Sequence, residues 1–125
     1  MQPPILLTER DHARLNQLVS QAVVPEHLVE RLEAELLRAT IVPFSRDVVQ
    51  LGSLVTWETE QTRQVRTARL IAPPERAIGM NEVSVLTPVG CALIGLRAGD
   101  VFTWVDGSRQ WRLRVVAVEN EAVLP

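Results

Sequence analysis

Residues 83–100 run Val83-Ser84-Val85-Leu86-Thr87-Pro88-Val89-Gly90-Cys91-Ala92-Leu93-Ile94-Gly95-Leu96-Arg97-Ala98-Gly99-Asp100. The stretch divides into three pieces. Val83 to Leu86 is rich in β-branched residues and reads as a strand. Thr87-Pro88 is a capping residue followed by proline, the pairing that opens a helix, so Val89 to Leu96 reads as a short helix. Gly99-Asp100 then turns the chain into Val101 to Val105, a second strand. A single short helix set among strands marks an α+β chain in which that helix covers one face of a sheet.

Working outward, the same strand period continues on both sides. Asp106-Gly107 is a hairpin signal, and Arg109 to Val118 returns. In that returning strand Trp111, Leu113, Val115 and Ala117 fall on one face, and Arg112, Arg114, Val116 and Val118 on the other. Upstream, Leu54 to Trp57 and Val65 to Ile71 read as strands, the second stopped by Pro73-Pro74. Together they predict a mostly antiparallel sheet of about five strands. The segment from Thr40 to Asp47, with Pro43, reads as a linker.

Before the linker the period is helical. Thr8 caps a first helix whose opening turn holds Glu9 and Asp11, and Leu15, Leu18, Val19 and Ala22 form its apolar stripe. Pro25 and Glu26 open a second helix. Leu28, Val29, Leu32, Leu36 and Leu37 make its stripe, with Glu30, Arg31, Glu33, Glu35 and Arg38 mostly opposite. Helices spaced so closely fold back antiparallel, and each spans only ~20 Å at ~1.5 Å per residue. The expected organisation is a helical hairpin over 1–42, a linker at 43–47 and a sheet domain over 48–125.

Composition narrows the function. The chain has 125 residues, 46% of them hydrophobic, enough for a packed core. All 13 basic residues are Arg, and the net charge of -2 lacks the basic excess of a dedicated DNA binder. A lone cysteine, Cys91, precludes an internal disulfide framework. No secretory signal is legible and no apolar run approaches the ~20 residues of a membrane span, so a reduced cytoplasmic protein is expected.

Candidate chemical motifs are weak. Gly90 and Gly95 have phosphate-loop spacing, but Leu96 stands where the lysine belongs. His12 and His27 lie on separate helices without metal-ligand company and are expected at the surface. Cys91 sits at a helix start, which lowers a thiol pKa, but a buried small residue is the favoured reading. Trp57, Trp104 and Trp111 read as core or sheet-face residues rather than a base-stacking platform. Arg63, Arg66 and Arg69, and Arg109, Arg112 and Arg114, read as solvated sheet face, with a patch for an acidic partner as the alternative. No cofactor, metal or catalytic residue is assigned.

The run from Val83 to Asp100 resembles the signature of the Gre transcript-cleavage factor C-terminal domain, roughly "isv-sP-grALlG---GD". Residues 49–55, Val-Gln-Leu-Gly-Ser-Leu-Val, resemble its opening, and the Gly107 hairpin with the final strand resembles its end. The likeness spans about 48–118. It implies an FKBP-like fold. The short hairpin ahead of this domain makes the whole chain similar to the Rnk-type group, the regulators of nucleoside diphosphate kinase. The resemblance implies docking on the rim of the RNA polymerase secondary channel, by contact with the large subunits. It places the partner-binding corner at Leu86, Thr87 and Pro88, although Leu86 and Thr87 depart from the polar residue and Ser-Pro common there. The Gre factors catalyse cleavage through paired carboxylates at the tip of a long coiled coil, because two-metal chemistry needs carboxylates at the ion. Here the tip, Ser20 to Glu26, carries one carboxylate, so a non-catalytic transcription regulator competing with Gre factors is expected. The alternatives are an interaction module acting on nucleoside diphosphate kinase or another partner, and an FKBP-type prolyl isomerase. The isomerase needs an aromatic-lined pocket in a chain with no Tyr.

Overall fold

Thr8 begins the first helix as expected, its Oγ1 accepting the Asp11 N–H at 3.2 Å. The computed structural model describes residues 4–20, 26–43, 47–72, 81–106 and 108–120, except the side chains of 26, 27 and 106. In chain order they form β1 (Leu6–Leu7), α1 (Glu9–Ser20), α2 (Glu26–Arg38), β2 (Thr40–Ile41), β3 (Leu54–Thr59), β4 (Gln64–Ile71), β5 (Glu82–Ser84), α3 (Pro88–Leu93), β6 (Val101–Asp106) and β7 (Arg109–Glu119). The fold is α+β, as the change of period predicts. Most of the hairpin tip, residues 21–25, lies outside the described set, as does Gly107. Asp106 pairs with Arg109, so the strands run one residue closer to the turn than the Asp106-Gly107 reading placed them.

Five strands form one sheet in the order β5-β4-β3-β7-β6. Neighbours are antiparallel except β4 and β5, which run parallel. Val55, Trp57, Ala68, Leu70, Phe102, Leu113 and Val115 face inward and are buried, and Ala92 and Leu93 from α3, with Ile94 just after it, pack on them. The register between β3 and β7 shifts between Thr56 and Trp57, which pair with Ala117 and Val115. Val116 is the extra residue of this bulge. The shift reverses the alternation beyond it, so Val118 packs on the core and Ala117 is exposed, the opposite of strict period-two reading.

Two short strands were not anticipated, because two residues carry no period. β1 and β2 pair in parallel. The Leu6 N–H donates to the Gly95 carbonyl at 3.1 Å, and the Thr40 N–H to Ile5 at 2.9 Å. Ile5 and Leu7, each 1% exposed, are core residues, each contributing about 2 kcal/mol by burial. The helix read as Val89 to Leu96 stops at Leu93, since Gly95 takes φ +82° and turns the chain toward β1.

The hairpin lies against the sheet domain rather than standing clear of it. Leu15, Leu18 and Leu36 belong to the same apolar cluster as the sheet, while Leu28 and Leu32 close over Cys91. Leu37 departs from the expected stripe and is 89% exposed, because it lies ~100° round the helix from Leu36. His12 is half-buried, not a surface residue, with its Nε2 3.4 Å from the Leu36 carbonyl. The side chain of His27 is outside the described set.

Candidate functional site: the strand-to-helix corner

Leu86, Thr87 and Pro88 occupy the tight corner between β5 and α3, and all three are half-buried. Ser84 organises it. Its carbonyl accepts the Thr87 hydroxyl at 2.7 Å and the Thr87 N–H at 3.1 Å, and its Oγ accepts the Leu86 N–H at 3.0 Å. Thr87 caps α3 in extended conformation, accepting the Gly90 N–H at 3.1 Å, and Pro88 follows inside the first turn. The bonds from the Thr87 and Gly90 N–H groups satisfy donors that the start of the helix otherwise leaves orphaned. The corner is therefore a rigid, internally bonded surface feature.

The glycines and the cysteine of the signature run are explained by packing. A Cβ on Gly90 would stand 1.9 Å from the Ser84 carbonyl oxygen, so this crossing of helix and strand excludes any side chain. A Cβ on Gly95 would meet Ile5 at 2.5 Å. The phosphate-loop spacing of these two residues is a consequence of two close approaches. Cys91 is 1% exposed under Leu28 and Leu32. Burial pushes its thiol up to about 11, with Glu35 adding to the rise and Arg31 opposing it. Leu86 packs against both apolar clusters, so part of its side chain joins hairpin to sheet.

The Val49 to Val55 stretch is a second organised turn. Gly52, at φ +97°, donates its N–H to Leu70 at 2.7 Å, and the Ser53 hydroxyl accepts from Gln50 N–H at 2.7 Å and bonds Asn120. Here the buried carboxylate of Asp11 reaches from α1 to accept the Leu51 N–H at 3.0 Å. Desolvation raises the Asp11 carboxyl above its ordinary value, outweighing the lowering by that N–H and by Arg10. Asp11 escaped the sequence reading because a first-turn acid was already explained by the helix dipole.

The arginines separate. Arg112 and Arg114 lie on the outer sheet face, paired with Glu60 at 3.0 Å and Glu58 at 4.0 Å. Arg66 and Arg109 lie on the inner-face side, over the rings of Trp57 and Trp111. Arg69 donates to the Gly52 carbonyl, and Arg63 takes a turn conformation at φ 54°. Arg31 from α2, read as mostly solvent-facing, is half-buried over Phe102 and Trp104. The signal was its spacing: Leu28, Arg31, Leu32 and Glu35 fall on one helix face.

An open groove of about 1440 Å³ runs between α1, the segment at Ile41 to Pro43 and the Gln50 to Gly52 turn, with no aromatic side chain among the described residues that line it. Trp57 and Phe102 are each 2% exposed within the core. Among the described residues no three His, Cys, Asp or Glu side chains converge on a common point. No helix among them is long and apolar enough to cross a membrane.

The family model described as the C-terminal domain of transcription elongation factor GreA/GreB matches residues 45–120, and the one described as the Rnk N-terminus matches residues 3–42. The chain is 32% identical over 124 residues to the regulator of nucleoside diphosphate kinase of Escherichia coli strain K12, covering 95% of this chain and 91% of that one. It is 32% identical over 98 residues to the transcription inhibitor protein Gfh1 of Thermus aquaticus, covering 76% of this chain and 62% of that one. A solved structure of the prokaryotic transcription elongation factor GreA/GreB from Nitrosomonas europaea superposes with a TM-score of 0.71 at 31% identity, covering 95% of this chain and all of that one. With one family model over the sheet domain, the other over the hairpin, and a relative aligned along nearly the whole length, the chain belongs to the GreA/GreB transcription elongation factor family as a Rnk-type member.

Proposed function

We propose that the protein is a non-catalytic transcription regulator that docks on RNA polymerase at the rim of the secondary channel and competes there with Gre-type factors. The observation that carries this reading is the preorganised Leu86-Thr87-Pro88 corner within the segment that matches the GreA/GreB C-terminal domain. Its loop bonds are made before any partner arrives, which removes ordering cost from docking. On this reading residues 1–42 are a short arm, 43–47 a connector and 48–125 the docking domain. With 12 and 13 residues, α1 and α2 extend about 18 and 20 Å. An arm of that length occupies the channel mouth without delivering metal ligands to a distant centre. The test is binding of the purified protein to core polymerase, with displacement by a Gre factor. Saturable, mutually exclusive binding supports the reading, and independent binding of both overturns it.

A second reading has one specific support, the name of the Escherichia coli relative that aligns along nearly the whole chain. It makes the protein an interaction module acting on nucleoside diphosphate kinase. Assay of purified kinase with and without the protein separates the two readings, since a polymerase ligand leaves kinase turnover unchanged. A prolyl isomerase has less support, because no aromatic side chain lines the large groove among the described residues and the core aromatics Trp57 and Phe102 are enclosed.

A further inference from the structure

The inner sheet face continues past the core, toward the β6–β7 hairpin, as a ladder of rings and guanidinium groups. Arg31 lies 5.1 Å from the centroids of both Phe102 and Trp104. Trp104 stacks on Trp111 at 6.3 Å with 18° between planes. Arg109 then lies 5.3 Å over Trp111. Trp104 and Trp111 are half-buried and Arg109 is exposed, so the outer part of the ladder meets solvent.

Among the described residues the two guanidinium groups of this ladder have no counter-charge. On the opposite sheet face Arg112 and Arg114 each have a glutamate. Arg31 and Arg109 form no ion pair with any described residue, and Glu35, one turn from Arg31, is engaged by Arg38 at 2.8 Å. The Nη2 of Arg31 is enclosed without a hydrogen-bond acceptor among the described residues. An aromatic face offsets part of the cost of holding a guanidinium there, but it supplies no counter-charge. Asp106 is opposite Arg109 in the strand register, with its side chain outside the described set.

We propose that Arg31, Trp104, Trp111 and Arg109 form a docking surface for an acidic segment of a protein partner. A carboxylate forks onto the exposed Arg109 guanidinium, and apolar side chains of the segment lie on the tryptophan pair, with Arg31 packed behind it on Trp104. Guanidinium groups match carboxylates in two-point geometry, and Trp with Arg are the residue types that concentrate binding energy at interfaces. Charge favours a peptide over a nucleic acid: the chain carries a net charge of -2, whereas a polyphosphate backbone is held by a basic excess. This surface is separate from the Leu86-Thr87-Pro88 corner and goes beyond the polymerase reading without depending on it.

The test is a titration of the ¹⁵N-labelled full chain with a blocked decapeptide of alternating Glu and Leu, followed through the indole N–H signals of the three tryptophans. The signals of Trp104 and Trp111 are expected to move and that of Trp57 to stay. Arg109→Met is expected to weaken binding about tenfold, on the scale of an interface hot spot, and Arg114→Met on the outer face to leave it unchanged. Arg31→Lys keeps the charge but loses the planar guanidinium packed on Phe102 and Trp104, and is expected to weaken binding as well by loosening Trp104. If it also unfolds the hairpin, the exposed Arg109 variant decides. No movement at millimolar peptide, an equal response to the peptide with Arg in place of Glu, or stronger binding of oligothymidylate overturns the proposal.

Discussion

Gly90 crosses the backbone of Ser84 so closely that a methyl group on its Cα would stand 1.9 Å from the Ser84 carbonyl oxygen. That oxygen also accepts the Thr87 hydroxyl and N–H. Anything that pushes α3 away from β5 therefore breaks the corner as well as the packing. Gly90→Ala is expected to cost about 3 kcal/mol, the upper end for overpacking. Gly52→Ala meets nothing within 4 Å, and its strain comes only from φ +97°, so its cost is expected at about 1–2 kcal/mol. Urea unfolding of both variants checks the order, and equal losses would contradict it.

Asp11 joins the hairpin to the sheet through the Leu51 N–H at the expense of a desolvated charge. Burial raises its folded pKa, so ionisation works against the fold. This contribution to stability is full at pH below the ordinary carboxylate value and is lost as pH rises through the raised one. Asp11→Asn keeps an acceptor for Leu51 and removes the charge, so at pH 7 it is expected to be at least as stable as the parent. The advantage should vanish as the pH falls toward the ordinary carboxylate range. Asp11→Ala leaves the Leu51 N–H unpaired and is expected to cost about 1–3 kcal/mol. Melting curves of the three proteins across pH 3 to 8 (about five units of range) measure the difference.

Cys91 is enclosed and its thiol is raised to about 11. At pH 8 it is expected to be inert toward a disulfide reagent in the folded protein and to react stoichiometrically once unfolded in urea. Rapid labelling of the native state would mean that α2 lifts off α3. Cys91→Ser places a hydroxyl in that apolar contact and is expected to cost about 1–3 kcal/mol.

The protein is expected not to stimulate transcript cleavage. Ser20 to Glu26 contains one carboxylate, and a second metal ion needs more than one. Stalled polymerase complexes incubated with and without the protein check this on a gel, and shortened transcripts at sub-stoichiometric protein would refute it.

The α+β architecture and three helices were legible because 12 or more residues of one period outweigh local noise in α1 and α2, and because Thr87-Pro88 announces α3. The Val118 side and the Ala117 side of β7 were exchanged because a bulge adds one residue that no alternation pattern displays. β1 and β2 are too short for a period, and their place is set by Gly95, whose φ only the structure shows. The corner was found by resemblance rather than by chemistry, since Leu86, Thr87 and Pro88 carry no reactive group. Arg31 was legible in principle as a cation on the buried stripe, but its partners, Phe102 and Trp104, are more than 70 positions away.

The central claim is that the strand-to-helix corner carries polymerase docking. It is tested most directly by competition titration of a labelled Gre factor from core RNA polymerase, using the parent chain, Pro88→Asn and Glu26→Ala. Pro88 presets the first turn of α3 and presents a half-buried apolar ring. Pro88→Asn is expected to weaken competition by ~1–3 kcal/mol, with a smaller loss in melting stability. Glu26→Ala, at the arm tip, is expected to compete as the parent does. Loss of competition in Glu26→Ala with none in Pro88→Asn would contradict the account and place the binding energy in the hairpin.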